Sequence, residues 1–149
     1  MSSVTSKDRP PASTAGKVAG GLFLVVAAFQ VALAAGAPWG EAALGGANPG
    51  VLPDELRVGG AIQGVIYLVL AAIAGTRWTG TTLRRRMLYG MTALMVIGSV
   101  MNIATPSIVE RMLWAPVTIA LVIALWRAAR HDSLATGSRS RFGQASRAV

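Results

Sequence analysis

The chain has 149 residues, of which 53% are hydrophobic and 13% are charged, and it carries a net charge of +8 with no cysteine. In soluble domains about a quarter of the residues are charged. The low charged fraction of this chain results from long stretches without any charge, which indicates segments that lie in lipid. The absence of cysteine excludes disulfides and thiolate-bound metals, and the single histidine, His131, excludes a multi-histidine metal site, so no metal or cofactor is predicted.

Four apolar segments predict an all-α integral membrane protein, a four-helix bundle. Residues 1–17 are rich in Ser, Thr, Pro and Lys, which predicts a disordered cytoplasmic N-terminus. Residues 18–130 form the predicted transmembrane domain, and the Ser-, Arg- and Gly-rich residues 131–149 predict a disordered basic cytoplasmic tail. At about 1.5 Å per residue, segments of this length just cross a hydrocarbon core of about 30 Å. The spans are predicted at 18–35, 58–75, 87–103 and 112–126.

The first span also resembles a secretory signal peptide. Lys7, Arg9 and Lys17 precede it, and residues 32–34 (ALA) resemble a cleavage site. Its apolar run is longer than the usual h-region of about 7–15 residues, so we expect a retained helix.

Basic residues predict the orientation, because Lys and Arg collect on the cytoplasmic side of short connectors. With both termini inside, twelve basic residues are cytoplasmic, and only Arg57 and Arg111 are external. The positive charge therefore follows the topology and indicates anionic lipid head groups as partners at the cytoplasmic face, not nucleic acid. A protein partner or self-association is compatible with the sequence, but no residue identifies one.

The connector between the first two spans is predicted to be a long, ordered external loop. Its glycines permit positive φ angles, and Pro53 fits immediately before a helix that starts at Asp54. Trp39 is expected at the membrane–water boundary. Two interpretations remain open, a connector with favourable turn chemistry and a lid over a pocket.

Polar side chains inside lipid-spanning helices are costly and usually face protein, so they define a candidate outer polar site. Gln30, Gln63, Ser99 and Asn102 all fall within about 10 Å of the outer boundary, and Tyr67 lies one turn from Gln63. They either form interhelical hydrogen bonds or line a polar pocket. With its neighbours on the outer connectors, the candidate site comprises Gln30, Trp39, Glu41, Arg57, Gln63, Tyr67, Ser99, Asn102, Glu110, Arg111 and Trp114.

Charges and caps at the outer helix ends suggest further contacts. Thr105 or Ser107 is available to cap the fourth helix. Arg57 and Glu110 hold matching positions at two helix ends, so they either form a shielded ion pair or are separately solvated. The spacings Gly16–Gly20 and Gly60–Gly64 favour close helix packing within the bundle.

Two motifs carry a family resemblance. Residues 36–57 (GAPWG…LP..LR) and 102–117 (N.ATPS..ER..WAPV) are similar to those of a family of small four-span bacterial membrane proteins, frequent in actinobacteria and without an assigned function. The resemblance covers the two outer connectors and all four spans. It implies location in the bacterial cell membrane and brings no catalytic residue.

Three classes of function remain. A non-enzymatic accessory or ligand-sensing bundle with an outward polar site is expected first. A small transporter or channel for a neutral or cationic solute is the alternative, although no predicted span contains an ionisable group for proton coupling. A membrane enzyme that uses external carboxylates is the third, but the sequence lacks a nucleophile–base pair, a metal motif and a phosphate loop.

The orientation is directly testable. A reporter that is active only in the cytoplasm, fused after Val149, should be active, because the basic residues place the C-terminus inside. An inactive fusion, together with activity of a reporter that works only outside, would contradict the predicted topology.

Overall fold

A computed structural model describes residues 12–77 and 80–145, with side chains described through residue 134. Within these residues the fold is all-α, as predicted, and its four long helices are each apolar enough to cross a membrane. Three of the four predicted spans lie wholly within one helix, and the first, 18–35, extends one residue past the end of its helix. The helices are α1 (Thr14–Ala34), α2 (Asp54–Gly75), α3 (Thr81–Ala104) and α4 (Ile108–Ala145).

The helix starts follow the local sequence. The Ser13 hydroxyl oxygen caps α1 by accepting from the Gly16 N–H at 3.2 Å. Pro53 immediately precedes α2, which begins at Asp54 as predicted. Of the two candidate caps for α4, Ser107 is the one used, since its hydroxyl oxygen accepts from the Glu110 N–H at 3.1 Å. The helices extend beyond the predicted spans because charged and polar residues that leave the lipid still propagate a helix.

Two helical hairpins form the bundle. α1 packs along α2 and α3 along α4, α1 and α4 join the two hairpins, and α2 and α3 make few contacts with each other. Small residues allow the close approach of α1 and α2. A Cβ added to Gly20 would lie 3.0 Å from the Gly75 Cα, and one added to Gly60 would lie 3.2 Å from the Gln30 carbonyl oxygen. The predicted use of these glycines for packing within the bundle is confirmed.

The distribution of side-chain size is that of a bundle in lipid. The core is built from Phe23, Leu88, Leu121 and Leu125 together with many alanines. Many other large aliphatic side chains point outward, as Val65 and Ile97 do with exposed fractions of 61% and 62%. A contiguous apolar surface of this kind is unfavourable in water and suits a hydrocarbon surrounding.

One buried ion pair joins the helices at the end opposite the α1–α2 loop. Arg84 of α3 is 1% exposed and Asp132 of α4 is 0% exposed, and the Arg84 Nη1 donates to Asp132 Oδ2. The same guanidinium caps the end of α2, donating from Nη2 to the Ala74 carbonyl at 2.7 Å and from Nε to the Thr76 carbonyl at 2.9 Å. Arg77 Nη2 also donates to Asp132 Oδ1, at 2.7 Å. Most of the hydrogen-bonding capacity of the Arg84 guanidinium and the Asp132 carboxylate is thus used.

Two sequence interpretations are corrected here. α4 does not end near Trp126 but continues to Ala145, so most of the predicted disordered tail, 131–149, is helical; residues 146–149 lie outside the described part. No proline interrupts this stretch, and the packing of Asp132 holds its beginning in the bundle. Arg84 and Asp132 lie just beyond the predicted spans 87–103 and 112–126, where charges were expected, but both are buried between helices. Of the predicted disordered N-terminus, residues 14–17 are helical and residues 1–11 lie outside the described part.

We expect Asp132→Asn to lower the free energy of unfolding by about 3–5 kcal/mol, because it strands the buried Arg84 guanidinium. The melting temperature of the protein in detergent measures this loss. The matched control is Arg86→Ala, which removes an exposed arginine two residues from Arg84 and should change the melting temperature little. Equal, small effects of both substitutions would contradict a structural role for the pair.

Candidate functional site

A cavity of about 250 Å³ lies between the helices beneath the α1–α2 loop. All four helices and the loop contribute to its wall, so it belongs to the interior of the bundle. It is lined by Val26, Phe29, Gln30, Leu33, Ala42, Ala43, Leu44, Leu52, Leu56, Gly60, Gln63, Tyr67, Met95, Asn102, Glu110, Trp114, Thr118 and Leu121.

The loop, residues 35–53, is folded into two short 3₁₀ turns, Gly40–Ala42 and Leu44–Gly46. Gly45 and Gly46 both have φ of 75°, which glycine adopts without strain. Leu44 has a positive φ of 54°, an unfavourable conformation for a leucine, and it lines the cavity. Two segments of the loop approach each other closely at Gly40, where an added Cβ would lie 2.0 Å from the Asn48 carbonyl oxygen. The loop therefore has a single compact path over the cavity.

Three residues of the α4 start hold the loop backbone, and we call Ser107, Glu110 and Trp114 the α4 clamp. The Ser107 hydroxyl donates to the Glu41 carbonyl at 2.7 Å, and the Trp114 indole Nε1–H donates to the Ala42 carbonyl at 2.9 Å. Glu110 Oε2 accepts from the Gly45 N–H at 2.8 Å. The α4 clamp fixes successive loop groups that would otherwise lack partners inside the protein.

Glu110 is oriented by its own surroundings. Its Oε2 also accepts from the Thr105 hydroxyl at 2.7 Å. The carboxylate lies in the first turn of α4, where the helix dipole favours negative charge. Its other oxygen, Oε1, accepts no hydrogen bond from the described residues. One oxygen thus binds the loop, and the other is not used by any donor of the described residues.

Neutral polar groups occupy the remainder of the wall. Gln30 Nε2 donates to Gln63 Oε1 at 3.0 Å, which leaves amide groups of both residues available. Asn102 Nδ2 donates to the Gly98 carbonyl of its own helix at 2.9 Å, so its oxygen is not used by that bond. The Tyr67 hydroxyl has no hydrogen-bond partner within the described part of the chain. The cavity can therefore both donate to and accept from a bound molecule.

Aromatic rings form one side of the cavity. The Phe29 and Trp114 rings meet edge to face with centroids 4.7 Å apart, and Tyr67 lies deeper in the wall. Trp39 stacks outside Phe29 at 6.0 Å, so it supports the wall without lining it. Edge-to-face packing of this kind holds the rings in fixed positions.

The structure brings six of the eleven candidate site residues to this one cavity and places five elsewhere. Glu41 is exposed, and Ser99 is buried with its hydroxyl bonded to the Met95 carbonyl of its own helix at 2.8 Å. Arg111 Nη2 donates to the Thr105 carbonyl at 2.6 Å. Trp39 and Arg57 lie around the loop. The six lining residues are Gln30, Gln63, Tyr67, Asn102, Glu110 and Trp114.

The possible ion pair between Arg57 and Glu110 does not form. Arg57 Nη1 instead contacts Asp54 Oδ1 at 2.9 Å, one turn away on α2, and its Nε donates to the Ala34 carbonyl at 3.0 Å. Glu110 is occupied by Gly45 and Thr105. The Gly45 N–H and the Thr105 hydroxyl therefore bind Glu110 in place of Arg57.

Sequence reasoning missed Phe29 and Thr118 as wall residues and Asp132 as a buried charge. Phe29 had a usable signal, since Val26, Phe29 and Leu33 follow helical spacing on one face of α1. Thr118 had one too, because it is a polar residue inside the predicted span 112–126, although its hydroxyl bonds the Trp114 carbonyl of its own helix at 2.9 Å.

No protein-family model matches the chain, and no curated protein or solved structure is significantly similar to it. The cavity must therefore be interpreted from its own chemistry. One carboxylate with a free oxygen, several amide groups and an aromatic side suit reversible recognition of a small molecule.

We expect Glu110→Ala to speed hydrogen exchange of the Gly45 amide, because it removes the acceptor that the carboxylate provides. Glu110→Gln should retain most of the protection, since the amide oxygen can accept the same two bonds. Hydrogen–deuterium exchange with mass spectrometry of the loop peptide measures both.

Glu55→Ala is the matched control, because Glu55 is an exposed carboxylate in the first turn of α2. It should leave exchange of the loop unchanged. Unchanged exchange in Glu110→Ala as well would show that the carboxylate does not fix the loop.

Proposed function

We propose that the chain is a multi-pass protein of the bacterial cell membrane that binds a small polar solute in the cavity beneath the α1–α2 loop. The observation that carries this proposal is the convergence of Gln30, Gln63, Asn102 and Glu110 on one cavity. Polar side chains are costly in lipid-spanning helices, and their use around an open volume favours ligand binding over packing alone.

The cavity faces outward in this proposal. The loop end of the bundle carries four carboxylates, those of Glu41, Asp54, Glu55 and Glu110, and two arginines. The opposite end carries nearly all the remaining basic residues of the described part. This asymmetry supports both termini in the cytoplasm and the loop outside, by the preference of Lys and Arg for the cytoplasmic side.

Binding without passage is favoured over transport. Beyond the cavity the bundle is filled by Phe23, Leu88 and Leu125, which are all fully buried. The Arg84–Asp132 pair then joins the helices at the far end. A solute moving through would have to separate this packed core, so a sensing or accessory role fits the packing better.

A non-enzymatic role is proposed for the same site. The cavity offers one carboxylate, Glu110, whereas acid–base catalysis usually needs a second titratable group placed against it. The hydroxyl of Thr118 is bonded to its own helix and is not paired with a base. Recognition is the chemistry that this wall supports most directly.

Cysteine labelling tests the proposed site, because the natural chain contains no cysteine. Asn102→Cys places one thiol on the cavity wall, and we expect a small membrane-impermeant thiol reagent to modify it from outside intact cells. Thr82→Cys, at the exposed start of α3, is the control and should react only after the cells are opened.

Two results would contradict the proposal. Failure of the Asn102→Cys thiol to react from either side would mean that the cavity is closed to solutes. Reaction of Thr82→Cys with the reagent from outside would show that the protein has the opposite orientation in the membrane.

A further inference from the structure

The charge of the cavity wall is unbalanced. Among the lining residues, Glu110 is the only one with a charged side chain at neutral pH, and no lysine, arginine or histidine accompanies it. Neither arginine at the loop end lines the cavity, since Arg57 contacts Asp54 and Arg111 donates to the Thr105 carbonyl. Inside the cavity an anionic solute would meet a carboxylate with no cation in the surrounding wall, whereas a cation would be attracted to it.

The geometry points to a small organic cation, with an ammonium group held between the Glu110 carboxylate and the aromatic side of the cavity. This inference rests on the proposed function and specifies the class of ligand. The free Oε1 of Glu110 supplies the counter-charge, while Oε2 stays bonded to Gly45 and Thr105. Binding therefore needs no rupture of the loop contact.

The aromatic rings make the wall selective for an organic ammonium over a hydrated inorganic ion. Phe29, Tyr67 and Trp114 all line the same cavity, and the faces of aromatic rings attract ammonium groups. A metal ion would require several oxygen ligands in a regular arrangement, and Glu110 is the only carboxylate in the wall. Methylated or primary ammonium groups match one carboxylate with apolar neighbours.

The volume of the cavity and the charge around its opening both fit a small organic cation. A cavity of about 250 Å³ holds the volume of about eight waters, enough for an ammonium head with a short substituent. The excess of carboxylates over arginines at the loop end attracts cations toward the opening and repels anions.

An ammonium group can come from a soluble amine or from the head group of a zwitterionic lipid. α2 and α3 make few contacts with each other, so the wall between them is the least packed side of the bundle. Both sources share the same chemistry at Glu110, and the experiment separates them.

Charge-selective thiol modification tests the inference in the full chain carrying Asn102→Cys. The probes are trimethylammonioethyl methanethiosulfonate, a cation, and sulfonatoethyl methanethiosulfonate, an anion. We expect the ratio of cation to anion rates to be about tenfold higher than in the same chain with Glu110→Gln added. Glu41→Gln is the matched control, since it removes a carboxylate from the same end but outside the cavity, and it should change the ratio little.

The outcomes separate this inference from the proposed function. Reaction with neither probe would overturn the proposed function itself. A cation-to-anion ratio no higher than that of a small free thiol in solution would leave the cavity open but overturn cation selectivity. A high ratio that Glu110→Gln does not lower would overturn the role of Glu110. Because Glu110→Gln keeps an acceptor for the loop, its effect reports charge and not loss of the fold.

Protection identifies the source of the ammonium group. The rate of a neutral methanethiosulfonate is measured in bilayers of phosphatidylglycerol and of phosphatidylethanolamine, each with and without tetramethylammonium. Slower labelling in phosphatidylethanolamine before any solute is added indicates a lipid head group. Equal rates in both lipids, with protection by tetramethylammonium but not by tert-butanol, indicate a soluble amine. Protection by neither source would overturn the proposal.

Discussion

The fold depends on a buried guanidinium that satisfies two demands at once. Arg84 pairs with Asp132 of α4. It also caps the C-terminal end of α2, because it donates hydrogen bonds to carbonyls that the helix end leaves unpaired. A Cβ at Gly16 would lie 2.9 Å from Arg84 Nη2, so α1 also closes on this group. All four helices therefore meet at one point. Because burial of either charge alone is costly, the pair fixes which faces of the helices meet.

Closure at one end leaves the other end free to enclose a volume. There the α1–α2 loop replaces direct helix packing, and the α4 clamp holds it. Glu110 links structure and recognition, since one carboxylate oxygen positions the loop and the other faces no protein donor. Leu44, which has a positive φ, directly precedes Gly45, whose N–H donates to Glu110. This hydrogen bond helps to offset the unfavourable backbone conformation of Leu44.

The helices were predictable from apolar length, and the start of α2 from Pro53 and Asp54, because these signals are local. The common depth of Gln30, Gln63 and Asn102 was also readable, since it requires only counting from the helix ends. Long-range partners were not. Which of Arg84, Arg85 and Arg86 points into the bundle depends on how α3 is rotated about its axis relative to Gly16 of α1 and Ala74 of α2. Likewise, the actual partners of Glu110 could not be predicted, because the sequence does not show that the loop brings Gly45 back to α4.

The central claim is that an ammonium group occupies the loop-roofed cavity between Glu110 and the ring of Trp114. Tetramethylarsonium has the shape and charge of tetramethylammonium and contains arsenic, an anomalous scatterer. The most direct measurement is an anomalous difference map from crystals of the protein grown with this cation. The account predicts one dominant peak inside the cavity, beside Glu110, that disappears in Glu110→Gln. A dominant peak on the outer surface, or none in the cavity, would contradict it.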